Sequence, residues 1–304
     1  MSRYSSPGRI VVLLIAMFLT SCTQAVPPSA STGLLLEQPS GSQQITGILP
    51  ATDLAVGRDE RFLLVLIGAD NNLVSDANVD LSFFKVTGAN QAQLRAQGPA
   101  QYREAPGATG RGAYVARANF DESGQWGVAA HVVPPGKPAA DLRLSFEVKD
   151  KSSTPAIGDQ VPASGTLTGS SEAEIERFSS ARPVDPTLYQ VSVADSLRQE
   201  KPLVLLFASP GFCTSRLCGP SLEALQALHS QYRTRANFIH VEIYQDGRPN
   251  ANLDVVPAVR EWGLTSEPWL FIVGADGRLV DKFEGNIATQ EIRQSLAPLL
   301  VEGT

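Results

Sequence analysis

Several scarcities narrow what this 304-residue chain can do. Basic residues are few and scattered: 25 Lys and Arg stand against 31 Asp and Glu, a formal net charge of −6. No basic block is present, so the chain lacks the electrostatic footprint of a nucleic-acid partner. Charged residues make up only 18% and hydrophobic ones 43%, which excludes a disordered or coiled-coil chain and leaves a globular one. Histidine is rarer still: His131, His229 and His240, with none beyond position 240. Cysteine occurs three times, at 22, 213 and 218. The longest apolar run near the amino terminus, residues 10–19, is too short to span a bilayer comfortably.

That run has a different use. Arg3 and Arg9 precede it, and Leu19-Thr20-Ser21-Cys22 closes it. Positive n-region, apolar h-region and small residues make a secretory signal. The closing tetrapeptide resembles the lipobox of bacterial lipoproteins. The resemblance implies cleavage before Cys22, lipid on its thiol, and an extracytoplasmic, membrane-anchored protein. Residues 1–21 are then the signal peptide, and residues 22–52, rich in Ser, Pro, Gly and Gln, are the lipidated cysteine and a solvated tether. Lipidation removes Cys22 from the count, so Cys213 and Cys218 have only each other in a compartment that permits disulfides.

The stretch around that pair organises the chain. Leu203–Phe207 is a short apolar run suited to a buried strand. Pro210-Gly211 breaks it, Cys213 and Cys218 follow, and Leu222, Leu225 and Leu228 recur at helical spacing. A strand therefore turns into a helix at the cysteines, where free amide N–H groups and the macrodipole favour thiolate. Two helical residues five apart differ by about 140° in direction and about 7.5 Å in rise. A disulfide requires Cα atoms roughly 4.4–6.8 Å apart. The bridge is feasible if Cys213 lies in the loop and Cys218 in the first helical turn. Cys213 is then the exposed attacking sulfur and Cys218 the covered, resolving one. A bridge that merely staples the helix start is the competing reading, and metal ligation a third.

Before this stretch, residues 53–150 read as strands. The segments 61–67, 78–86, Gly112–Phe120, Gly124–Val133 and 142–148 carry buried or alternating apolar patterns, separated by turn signals such as Asn71-Asn72, Pro106-Gly107 and Pro134-Pro135-Gly136. About seven short strands at this spacing predict an antiparallel sandwich. The region resembles the immunoglobulin-like domains of bacterial exported proteins. It holds no cysteine and no clustered acid, histidine or glycine motif, and His131 reads as a satisfied strand residue. Residues 151–186, punctuated by Pro and Gly, read as a linker.

From 187 to 304 helices and strands alternate: a helix at 192–200, the cysteine unit, a strand at 238–244, a helix at 256–262, a hairpin of Trp269–Val273 and 279–283, and a closing helix at 289–300 with Thr289 as N-cap. This order, the cysteine turn and Ser266-Glu267-Pro268-Trp269 before a strand resemble the thioredoxin fold. The whole layout resembles a group of bacterial lipoproteins with an N-terminal sandwich and a Phe-Cys-x4-Cys-Gly-Pro site. The resemblance implies a two-domain protein, an immunoglobulin-like sandwich followed by an α/β thioredoxin-like domain, with Pro268 cis and facing the cysteines, and Glu267 and Pro268 holding the substrate strand.

The chain departs from that family. Its cysteines are farther apart than in Cys-Gly-Pro-Cys, and Phe212 stands where Trp is usual. The buried acid of the central strand is replaced by Leu205 or Leu206. Pro210, three residues before Cys213, excludes a peroxiredoxin-like site. A copper carrier of this kind needs a late histidine, which is missing. Arg216 is the one cation in the loop and would favour a thiolate; Glu267 would oppose it. The sequence thus predicts a thiol–disulfide oxidoreductase acting on envelope proteins with thiols or disulfides, through Cys213 and Cys218, without cofactor or metal. The alternative is a non-catalytic binding module with a structural disulfide.

Overall fold

A computed structural model describes residues 45–107 and 110–300. The expected signal peptide, Cys22 and the expected tether as far as residue 44 lie outside these residues. Seven strands come first: β1 (Ile45–Ile48), β2 (Gly57–Gly68), β3 (Asn78–Gly88), β4 (Gln91–Glu104), β5 (Gly112–Phe120), β6 (Gly124–Val133) and β7 (Ala140–Val148). They form when alternate side chains enter one core. Phe62, Leu64 and Leu66 of β2, Val79, Leu81 and Phe83 of β3, and Trp126, Val128, Ala130 and Val132 of β6 all do so. Aromatic rings meet there edge to face, Phe62 on Phe83 at 4.9 Å and Phe120 on Trp126 at 5.1 Å between centroids.

The second half contains α1 (Glu172–Ile175), α2 (Val193–Leu197), β8 (Leu203–Phe207), α3 (Cys218–Tyr232), β9 (Asn237–Val241), α4 (Pro257–Glu261), β10 (Trp269–Val273), β11 (Leu279–Glu284) and α5 (Thr289–Leu296). Its four strands run in the order β11-β10-β8-β9. β8 pairs in parallel with β9, the chain crossing over through α3, and antiparallel with β10. β8 is buried on both faces, which explains its unbroken apolar sequence. Val204 and Leu206 join Leu222, Leu225 and Leu228 of α3 and Ile292 and Leu296 of α5. Leu203, Leu205 and Phe207 join Trp262 and Phe271 on the opposite face.

The expected fold class is corrected in both halves. The N-terminal strands do not make a sandwich of two sheets. All seven hydrogen-bond in one antiparallel sheet, β1-β2-β5-β4-β3-β6-β7, whose ends β1 and β7 approach each other, so the sheet curls nearly closed around a single core. The second half is not a clear α/β thioredoxin-like domain: the protein is mostly β, only 19% helical, and its other helical segments are short beside α3. Alternation tells which side chains point inward, and it is the same for two facing sheets as for one curled sheet. Pro257 fixes the start of α4, and Gly263 at φ +66° ends it after five residues. Thr289 is not the N-cap of the last helix; Ala288 is, and it offers no side-chain bond.

Both sheets belong to one compact unit. Arg61 of β2, which is buried, donates from Nε and Nη2 to both carboxylate oxygens of Glu291 in α5, at 2.8 and 2.7 Å. It also donates to the carbonyls of Glu284 and Asn286. Arg117 of β5 donates to Asp281 of β11 at 3.0 Å. Asp53 is buried, which opposes its ionisation, yet hydrogen bonds from Ser152, Ser153 and Lys149 outweigh burial and hold its carboxyl well below the usual range. Residues 151–186 are laid against the second sheet: Gly158 N donates to Leu279 O, Leu279 N to Asp159 O and Val161 N to Gly277 O. Val161, Ile175 and Ala181 are buried there.

Candidate functional site

After β8 the chain makes a tight turn in which the Ser209 carbonyl accepts from Phe212 N and Cys213 N, at 3.0 and 2.9 Å. Pro210 has no N–H to give, and Gly211 N is used elsewhere, donating to Ser180 Oγ at 3.1 Å. The turn lifts Phe212 and Cys213 outward: Phe212 is 44% exposed and Cys213 partly so. Arg216, at φ +60°, reverses the loop, and Cys218 becomes the first residue of α3, fully buried. The helix has no side-chain cap, so its first amides are without a side-chain partner beside Cys218.

Cys213 and Cys218 are joined in a disulfide, with Cα atoms 6.0 Å apart. The placement of one cysteine in the loop and the other in the first turn is the arrangement the spacing requires. Ser215 Oγ lies 3.1 Å from Cys213 Sγ.

Glu267 stands opposite, just before β10, joined by a cis peptide to Pro268, which is buried. The sequence points Glu267 toward Cys213; its Oε2 lies 3.5 Å from Cys218 Sγ and also accepts from Ser209 N at 2.8 Å. Both sulfurs and a Glu267 oxygen fall within 4.8 Å of one another. While the sulfurs are bonded to each other they have no thiolate to offer a metal. Burial pushes the Glu267 carboxyl up to about 7; the bond from Ser209 opposes this, and the nearby charge of Glu242 adds to it. Arg216 is exposed. His131 is likewise exposed and pairs with Asp141 at 2.7 Å, away from the cysteines.

Sequence reading missed Glu242. It follows β9 directly, is buried, and its Oε2 accepts from Ser180 N at 2.7 Å and Ser180 Oγ at 2.6 Å. Ser180 thereby connects Glu242 to the Gly211 amide of the cysteine turn. An acid inside the apolar run Phe238-Ile-His-Val-Glu242-Ile243 was the available signal, since a buried carboxylate asks for an explanation. Ser180, in a Pro-punctuated segment, left no such signal. Nearby, Tyr189 Oη lies 2.6 Å from His240 Nδ1, and His240 Nε2 lies 3.0 Å from the Ala208 carbonyl. Burial lowers the affinity of His240 for a second proton.

No family model matches this chain, and no curated protein matches it significantly. Among solved structures, "as isolated" FetP of uropathogenic Escherichia coli strain F11 is 13% identical, covering 36% of this chain and 87% of its own, with a TM-score of 0.24. The ZirS C-terminal domain is 10% identical, covering 49% and 87%, with a TM-score of 0.21. Likeness at this level carries no argument about function.

Proposed function

We propose that the protein is a thiol–disulfide oxidoreductase of the cell envelope, anchored through lipid on Cys22. One observation carries the reading: an accessible Cys213 is bonded to a buried Cys218 whose sulfur lies 3.5 Å from a carboxyl pushed up to about 7. A staple at a helix start needs neither the exposure nor the acid.

A partner thiolate attacks Cys213 Sγ, the exposed sulfur. A new S–S bond forms to the partner, the Cys213–Cys218 bond breaks, and Cys218 leaves as thiolate. The α3 amides stabilise that charge, and Glu267 delivers the proton that converts it to thiol. A second partner thiolate then displaces Cys213, so two electrons pass to the protein and the partner pair becomes a disulfide. In the opposite direction Cys213 thiolate attacks a partner disulfide, Glu267 carboxylate removes the Cys218 proton, and Cys218 resolves the mixed disulfide. The partner chain approaches along Glu267, and the cis bond to Pro268 fixes the backbone behind it.

Reduced protein should alkylate first at Cys213. Cys218→Ser should trap mixed disulfides with envelope proteins, whereas Cys213→Ser should trap none. Slow labelling of both thiols, with a potential below about −300 mV, would replace this reading with a binding module held by a structural bridge.

A further inference from the structure

We infer that the cavity around Glu242 binds an organic cation, an alkylammonium or guanidinium group. The inference is independent of the redox reading. The cavity, of about 260 Å³, lies at the carboxyl end of β9 and is lined by Phe178, Tyr189, His240, Glu242, Tyr244 and Asp246 among others. No Lys or Arg lines it.

Glu242 is the decisive residue. It is only 3% exposed, and among the described residues it forms no ion pair. Buried carboxylates are ordinarily paired with a cation. The hydrogen bonds from Ser180 N, Ser180 Oγ and Ile243 N hold the carboxylate in place without neutralising it. His240 makes no contact with it: it is buried, both ring nitrogens face neutral oxygen atoms, and burial works against its protonation more strongly than the charge of Glu242 and the Ala208 carbonyl favour it.

The rest of the wall suits the same ligand. Phe178 and Tyr189 meet edge to face at 5.9 Å, and Tyr244 adds a third ring. Aromatic faces attract ammonium and guanidinium groups, most strongly where water is excluded. Asp246, exposed at the rim, adds a second negative charge. An anionic ligand would meet two carboxylates, and a purely apolar one would leave Glu242 buried and unpaired. Such a cation has two sources, a free amine or a Lys or Arg side chain of a partner protein. Ser180, hydrogen-bonded to Glu242, also accepts from Gly211 N of the cysteine turn.

Calorimetry on the full chain with its disulfide intact tests this, using n-butylammonium and n-butanol at matched ionic strength. The ammonium should bind at least ten-fold more tightly than the alcohol. Glu242→Gln should abolish that preference while circular dichroism stays unchanged. Should that variant not fold, Tyr244→Leu decides: ammonium binding should weaken several-fold and alcohol binding should not. A capped Gly-Lys-Gly peptide that outbinds n-butylammonium assigns the site to a protein side chain; one that binds less well assigns it to a free amine. Equal binding of alcohol and ammonium to the unaltered protein, or full ammonium affinity in the folded variants, would overturn the inference.

Discussion

At Glu267 burial and hydrogen bonding act against each other, and burial wins, leaving a carboxyl near 7 beside a sulfur that must gain or lose a proton. The consequence is measurable as a ratio of rates. With a small thiol as reductant, the attacking thiolate rises with pH equally for the native protein and for Glu267→Gln, so its effect cancels. Native protein should reduce at its disulfide at least ten-fold faster than the variant near pH 6, and the ratio should fall toward one near pH 8.5. A ratio independent of pH would remove Glu267 from proton transfer. Stability moves the same way. The folded carboxyl titrates above its unfolded value of 4.5, so its contribution is complete below that value and is lost as pH rises through about 7. Native protein should therefore lose stability relative to Glu267→Gln between these limits in denaturant titrations.

Among the elements, β4 shows how far pattern carries and where it stops. β3, β5, β6 and β8 announce themselves by alternating or unbroken apolar residues. β4 has mostly Gln, Arg and Ala, and Ala100 alone of its fourteen residues is fully buried, so composition has little to mark it as a strand. Hydrogen bonding makes it one: residues 91–100 pair with β3 and only residues 101–104 with β5. Pro99 precedes the β5 contact, where its missing N–H leaves no ladder bond unmade. The cysteine unit was legible because strand, breaker and helix signals fall within thirty residues; Glu242 and Ser180 were not, because they meet the site only through the tertiary fold. The contact of β2 with α5 was equally invisible, since Arg61 and Glu291 are 230 positions apart. Breaking that buried pair leaves a charge uncompensated, so Arg61→Ala should cost about 3–5 kcal/mol. A Met–Leu replacement of both partners should cost clearly less. Equal losses in single and double variants, by urea midpoints, would show that the loss does not come from an uncompensated charge.

For the molecule as a whole, the question is where a piece carrying the cysteines can be separated. Composition ends the linker at 186, after a Pro- and Gly-rich segment, and expects a fragment starting near Ser180 to fold alone. The packing of 151–186 makes that boundary testable against an earlier one. Backbone bonds from Gly158 and Val161, and one received by Asp159, cover the outer edge of β11. Val161 lies against the Trp262 face of the sheet, while Ile175 and Ala181 enter the core beneath α3. An Ile or Val side chain moved from water to such a core contributes about 1.5–3 kcal/mol. A fragment of residues 151–304 should accordingly unfold cooperatively and exceed a fragment of residues 187–304 by several kcal/mol. The full chain should exceed both, because Arg61, Arg117 and Thr52 supply partners for Glu291, Asp281 and Glu284 that either fragment lacks. Circular dichroism with urea unfolding of the three proteins decides the matter. If residues 187–304 proved as stable as residues 151–304, the intervening segment would be a linker in energy as well as in composition.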